Sequence, residues 1–231
     1  LVAEYGAFIS FALVWGAASD ALGRRAPLVV AGAVGGAASY LLLASLPALG
    51  VGFGGVLAVR VLGGAFTIGA FSLGITMLMD LAGGNGRNMG AAGIAIGLGA
   101  ALGSIVGGQL AAVSPFGPVY AGAAVLAGAG LVAATVDETV DEAVAETDSE
   151  TSSEADSVAP DRRGVGAAID TLRSTPALGV PFAFGFIDRL TAGFFSLVGV
   201  FYFGDVFGLD AAGVGIALAL FFLPFALLQY P

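Results

Sequence analysis

The sequence predicts an all-α integral membrane protein, on three observations. Of 231 residues, 58% are hydrophobic and only 11% charged, with a mean hydropathy of +0.96; soluble domains run near about 45–50% apolar and about 25% charged. Apolar runs of crossing length recur along the whole chain, a hydrocarbon core of roughly 30 Å needing about 20 helical residues. No barrel-type alternation accompanies them, so in lipid the backbone must satisfy its hydrogen bonds within helices.

Seven spans follow: residues 1–19, 27–46, 51–79, 89–113, 117–136, 178–203 and 211–230. The first begins on leucine, already within an apolar helix pattern, with no charged leader or cleavage site. No signal peptide is read there, and the natural N-terminus is expected upstream. This span closes on GAASDALGRR, residues 16–25, where Gly23 permits a tight reversal. The second span ends in the short loop 47–50. The third is longer than a crossing requires, and Gly63–Gly64 is a point at which it can bend or tilt. Loop 80–88, with Asp80 and Arg87, leads into the glycine-rich fourth span, and 114–116 separates the fourth from the fifth. Loop 204–210, with Asp205 and Asp210, separates the sixth from the seventh.

Between the fifth and sixth spans the chain changes character. Residues 137–164 are acidic, rich in Ser and Thr, and nearly free of large apolar side chains, a composition that stays disordered. Three segments result: an amino-terminal transmembrane bundle (1–136), an acidic, disordered cytoplasmic linker (137–177), and the start of a carboxy-terminal bundle (178–231). The linker reads either as a solvated tether or as a regulatory tail.

The net charge of −9 belongs largely to this linker: ten of the 17 acidic residues lie between Asp137 and Asp161. The acidic balance therefore describes a loop and not a surface for nucleic acid. Cysteine and histidine are absent, and all eight basic residues are arginine, a composition like that of salt-loving or GC-rich sources. No phosphate loop, nucleophile elbow, zinc-protease motif or metal cluster is present, so neither enzyme chemistry nor a cofactor or metal is expected.

Arginine placement orients the helices. Loops 20–26, 80–88 and 137–177 hold Arg24, Arg25, Arg87, Arg162, Arg163 and Arg173, whereas 47–50, 114–116 and 204–210 hold none. The two sets alternate as successive crossings demand. The arginine-bearing loops are thus expected to be cytoplasmic in a multi-pass plasma-membrane protein.

Charges inside spans cost at least ~2.5–3.5 kcal/mol at a helix centre unless paired or hydrated. Arg60 and Asp188 fall about nine and ten residues into their predicted spans, near the midplane at about 1.5 Å per residue. Asp188 is a candidate proton or cation-substrate site, or half of a structural ion pair. Arg60 is a candidate for tuning a carboxylate or meeting an anionic group. Arg189 adjoins Asp188 but points about 100° away around the helix. Glu4, near the opposite interface from Asp20, is a second candidate carboxylate. The aromatic run 193–208 either lines a cavity for flat cations or faces lipid.

Gly16 and Asp20 share one helix face, and Asp20 is placed to meet a helix N-terminus or a nearby arginine, a polar latch between helices. Gly99, Gly103 and Gly107 recur every four residues and give a smooth face for close helix packing.

The pattern G-x-x-x-D-x-x-G-R-R, formed by Gly16, Asp20, Gly23, Arg24 and Arg25, resembles the loop signature of major facilitator superfamily transporters; Ala21 stands where a basic residue is usual. Arg60 resembles the intramembrane arginine of that family's fourth helix, and Asp80 and Arg87 resemble the loop that follows. Residues 90–108 are similar to the family's antiporter motif through Gly90, Gly99, Gly103, Gly107 and Gly108, with Ser104 in the proline position. The resemblance implies a helical bundle, here seven of an expected twelve helices, spanning about helices two to eight and truncated at both ends. It implies a monomeric secondary transporter working by alternating access, exporting a small-molecule substrate in exchange for protons. A symporter or facilitator for a sugar, organic acid or other metabolite is the alternative within transport, and a non-transporting membrane sensor the alternative outside it.

Overall fold

The structure, a computed structural model, describes residues 2–81, 84–136 and 173–228. The described residues form seven α-helices and no strand. They are α1 (Val2–Leu22), α2 (Ala26–Ser45), α3 (Phe53–Met79), α4 (Asn85–Val113), α5 (Gly117–Ala133), α6 (Gly179–Asp205, entered through a 3₁₀ turn at Pro176–Leu178) and α7 (Ala211–Leu228). Each matches one predicted span to within a few residues. Six are long and apolar enough to cross a membrane; α5, at 17 residues, is shorter, about 26 Å of helix against a core of roughly 30 Å.

Local chemistry sets the ends. Gly23, at φ +63°, closes α1 in the left-handed conformation, its N–H donating to the Ser19 carbonyl at 3.0 Å. Two residues later α2 starts, with Pro27 in its first turn where no N–H is missed. Asp80 caps the end of α3, donating its N–H to Thr76 O at 3.1 Å. Asp210 caps the start of α7: its Oδ1 accepts from the Gly213 N–H at 2.8 Å.

The chain divides into two compact units, Leu1–Asp141 with Asp210–Pro231, and Glu142–Leu209. In the first unit α3 packs on both α1 and α2, α2 also packs on α5, and α4 packs on α7. Its core is made of small residues, among them Gly32, Ala33, Gly36, Ala37, Gly64 and Ala65. Small side chains let backbones touch, which is how helices associate when lipid removes the hydrophobic drive. A Cβ on Gly32 would lie 2.5 Å from the Ala70 nitrogen, so α2 and α3 meet backbone to backbone. Gly63 and Gly64 serve the same purpose within an uninterrupted α3: Gly63 faces Ser39 of α2 and Gly64 faces Glu4 and Ala7 of α1. In the second unit the described residues are chiefly α6, whose end gathers Tyr202, Phe203 and Phe207, with ring centroids 5.4–6.1 Å apart.

Candidate functional site

Three helices line a small, partly open pocket, mostly apolar around one charged pair. Glu4 of α1, Ser39, Tyr40 and Leu43 of α2, and Val59, Arg60 and Gly63 of α3 line a cavity of about 10 Å³, room for roughly one water. Arg60 donates from Nη1 to Glu4 Oε2 at 3.0 Å. The Glu4 side chain retains 15% of its exposure and that of Arg60 37%. Beside the pocket α1 and α3 approach closely because Gly64 carries no side chain: a Cβ there would strike the Glu4 carbonyl oxygen. Ser39 donates to the Gly36 carbonyl at 2.7 Å, which leaves its oxygen lone pairs toward Gly63. Arg60 lies seven residues after Phe53, where α3 begins, about 10 Å along the axis. Glu4, reaching across from α1, neutralises the guanidinium at that level of α3.

The α1–α3 seam continues toward the arginine-bearing end. Trp15 Nε1 donates to the Ala65 carbonyl at 2.6 Å, and its indole lies flat where a Cβ on Gly69 would otherwise stand. Phe66 flanks it, with ring centroids 6.3 Å apart. At the end of the seam Arg25, just before α2, forms a salt bridge with Asp80 at the end of α3. Buried Asn88, in the first turn of α4, donates from Nδ2 to the Leu81 carbonyl at 2.6 Å.

Of the residues singled out in the sequence, Glu4 with Arg60 and Arg25 with Asp80 are thus brought together. Asp20, Arg24 and Arg87 are exposed at the arginine-bearing end, and among the described residues no atom lies within 4 Å of a Cβ position at Gly16 or Gly23. Gly90 is buried near the start of α4. The remaining α4 glycines separate into two faces. Gly99, Gly103 and Gly107 have no atom within 4 Å of a Cβ position among the described residues. Close packing runs along another face: Gly97 meets Ala226, Gly108 meets Ala211 and Gly215, and the Ser104 carbonyl meets Gly215. Small residues on α7 select that face, and they cannot be seen from the periodicity of α4. Ser104 donates to the Ala100 carbonyl at 2.8 Å. Asp188 and Arg189 belong to α6, but their side chains lie outside the described residues, as does the acidic segment 137–164.

Sequence reasoning missed Ser39, Tyr40, Trp15 and Asn88. Trp15 had a signal, being the one tryptophan of the chain and lying deep within an apolar span. Asn88 also had one, as an amide just past a glycine-rich loop. Ser39 had none, since serine hydroxyls on an apolar helix commonly bond their own backbone, and no spacing singled out Tyr40.

Compared with models of protein families, the chain matches that of the Major Facilitator Superfamily over residues 1–231. Comparison with curated proteins and with solved structures gives no match.

Proposed function

The chain belongs to the Major Facilitator Superfamily, a family of membrane transporters, and from that premise we propose that it exports small molecules in exchange for protons by alternating access. The observation that supports this reading is the Glu4–Arg60 pair, opposite charges held between apolar helices against a water-sized cavity. Charged groups inside a membrane are costly and mark substrate or proton routes. In this reading the arginine-bearing loops face the cytoplasm at the plasma membrane. Asp20, Gly23, Arg24 and the Arg25–Asp80 bridge form a cytoplasmic latch that engages in one conformation and releases in the other. Of the α4 motif, Gly108 supplies close packing against α7, while Gly99, Gly103 and Gly107 leave a smooth face along which a helix can move. Asp188 binds a proton or a cationic substrate, with Arg189 beside it. The driving force is an ion gradient, and no covalent step is involved.

Vesicles containing the full-length protein, given an imposed pH gradient and a panel of cationic drugs and metabolites, test this reading. Gradient-driven efflux is expected for at least one compound, and Asp188→Asn uncouples it from protons. Proton and substrate movement in the same direction would show symport instead. Absence of gradient-driven flux for every compound would remove the antiport reading.

A further inference from the structure

We infer that the α2–α3 and α4–α5 turns, at the arginine-free end of these helices, are membrane anchors that insert into the headgroup–acyl boundary of the lipid bilayer. The chain between α2 and α3 runs Leu46, Pro47, Ala48, Leu49, Gly50, Val51, Gly52, and α3 then opens on Phe53. None of these residues carries a polar side chain. Leu49, Val51 and Phe53 are nevertheless exposed, Phe53 to 80%. The α4–α5 turn is alike: Val113, Phe116 and Tyr120 are exposed, and between Val113 and Val119 the one polar side chain is that of Ser114.

The backbone of both turns is satisfied from within. Gly50, at φ +63°, ends α2 in a Schellman arrangement: its N–H donates to the Pro47 carbonyl and that of Val51 to the Leu46 carbonyl, both at 3.4 Å. Ala48 and Leu49 donate to the Ser45 carbonyl at 3.1 and 3.2 Å, and Pro47 has no N–H to satisfy. In the second turn Ser114 donates to Leu110 at 2.8 Å and Gly117 to Ser114 at 3.0 Å, while Pro115 and Pro118 again have no N–H. Donors paired inside the segment are what a turn needs before it can leave water.

Length places the first turn. With 20 residues, α2 is about 30 Å long, the thickness of a hydrocarbon core of roughly 30 Å. Arg25 marks the headgroup level at one end, so the residues after Ser45 arrive at the opposite boundary. Phe53, Phe116 and Tyr120 then stand at the depth where aromatic rings gather. The exposed apolar faces of α2, with Val34, Leu41 and Leu42, and of α5, with Val125, run into the turns with no charged side chain between. That continuity names lipid as the occupant. Neither turn holds a basic residue, so attachment comes from apolar burial and not from attraction to anionic headgroups.

These 231 residues contain no cysteine, so single nitroxide labels at Leu49→Cys and Phe116→Cys test the inference. The full-length protein is placed in vesicles of phosphatidylcholine, with and without phosphatidylglycerol. Molecular oxygen, which concentrates in lipid, and a water-soluble nickel chelate serve as collision probes. A label at Arg87→Cys, exposed at the arginine-bearing end, is the reference for water. At both turns the nickel collision rate should be several-fold lower than at the reference and the oxygen rate higher, equally in the two lipid mixtures. Nickel collisions as frequent as at the reference would put the turns in water and overturn the inference. Protection from both probes would show a covering protein surface and overturn it as well. A dependence on phosphatidylglycerol would overturn the apolar mode of attachment. Where a labelled variant does not fold, Ala48→Cys and Pro115→Cys report on the same turns.

Discussion

The two glycine faces of α4 make opposite predictions for the same substitution. A Cβ on Gly108 would stand 2.5 Å from the Ala211 carbonyl oxygen and 2.9 Å from the Gly215 Cα. Both atoms are backbone and cannot rotate away. Comfortable carbon contacts begin near about 3.5 Å, so α4 and α7 must part by roughly 0.6–1 Å, enough to forfeit a quarter to a half of the local dispersion attraction. Gly103, by contrast, has no atom within 4 Å of its Cβ position among the described residues. Both lie inside the helix, so the gain of about 0.5–1 kcal/mol from replacing glycine by alanine is common to the two. The difference isolates the seam: Gly108→Ala should be less stable than Gly103→Ala by about 1–3 kcal/mol. Thermal unfolding of the purified protein in detergent would read this as several degrees of separation, at about 2–4 °C per kcal/mol. Equal midpoints, or a lower one for Gly103→Ala, would refute the α4–α7 seam and restore the evenly spaced ladder as the packing face.

Three further expectations follow from named contacts. Asn88→Ala leaves the Leu81 carbonyl without its side-chain donor and costs about 1–3 kcal/mol, measured by chemical unfolding; a neutral effect would show that the Asn88–Leu81 bond adds no stability. Arg25 and Asp80 keep 32% and 52% of their side-chain exposure, so a double-mutant cycle with Arg25→Gln and Asp80→Asn should give a coupling of only about 0.2–1 kcal/mol. That coupling should fall as salt is added, and a salt-independent value would contradict the exposed geometry. Trp15 is the single tryptophan of the chain, so Gly69→Leu, which displaces the indole from α3, should alter its emission spectrum; an unchanged spectrum would place Trp15 elsewhere.

The seven helices were legible in the sequence because length and apolarity are local properties that the bilayer reads directly. Gly23, Asp80 and Asp210 marked helix ends for equally local reasons, a left-handed turn in one case and caps in the others. Pairings were not legible. Glu4 and Arg60 stand 56 residues apart, and no spacing rule on either helix joins them. The faces of α4 were illegible for a different reason. With 38 glycines in the chain, small residues occur on every side of a helix, and a period of four selects nothing unless the partner is known. Gly97 and Gly108 matter because Ala226, Ala211 and Gly215 stand opposite them, not because of their place in a repeat.

The same logic bears on the α1–α3 seam. There α3 is tied at three heights by contacts of different kinds: to α1 by a partly buried ion pair and an indole hydrogen bond, and to the turn before α2 by a half-exposed salt bridge. Gly64 lets the α1 and α3 backbones meet beside Glu4, and Gly69 leaves room for the Trp15 indole. A change in salt acts chiefly on the exposed Arg25–Asp80 tie and leaves the indole hydrogen bond untouched.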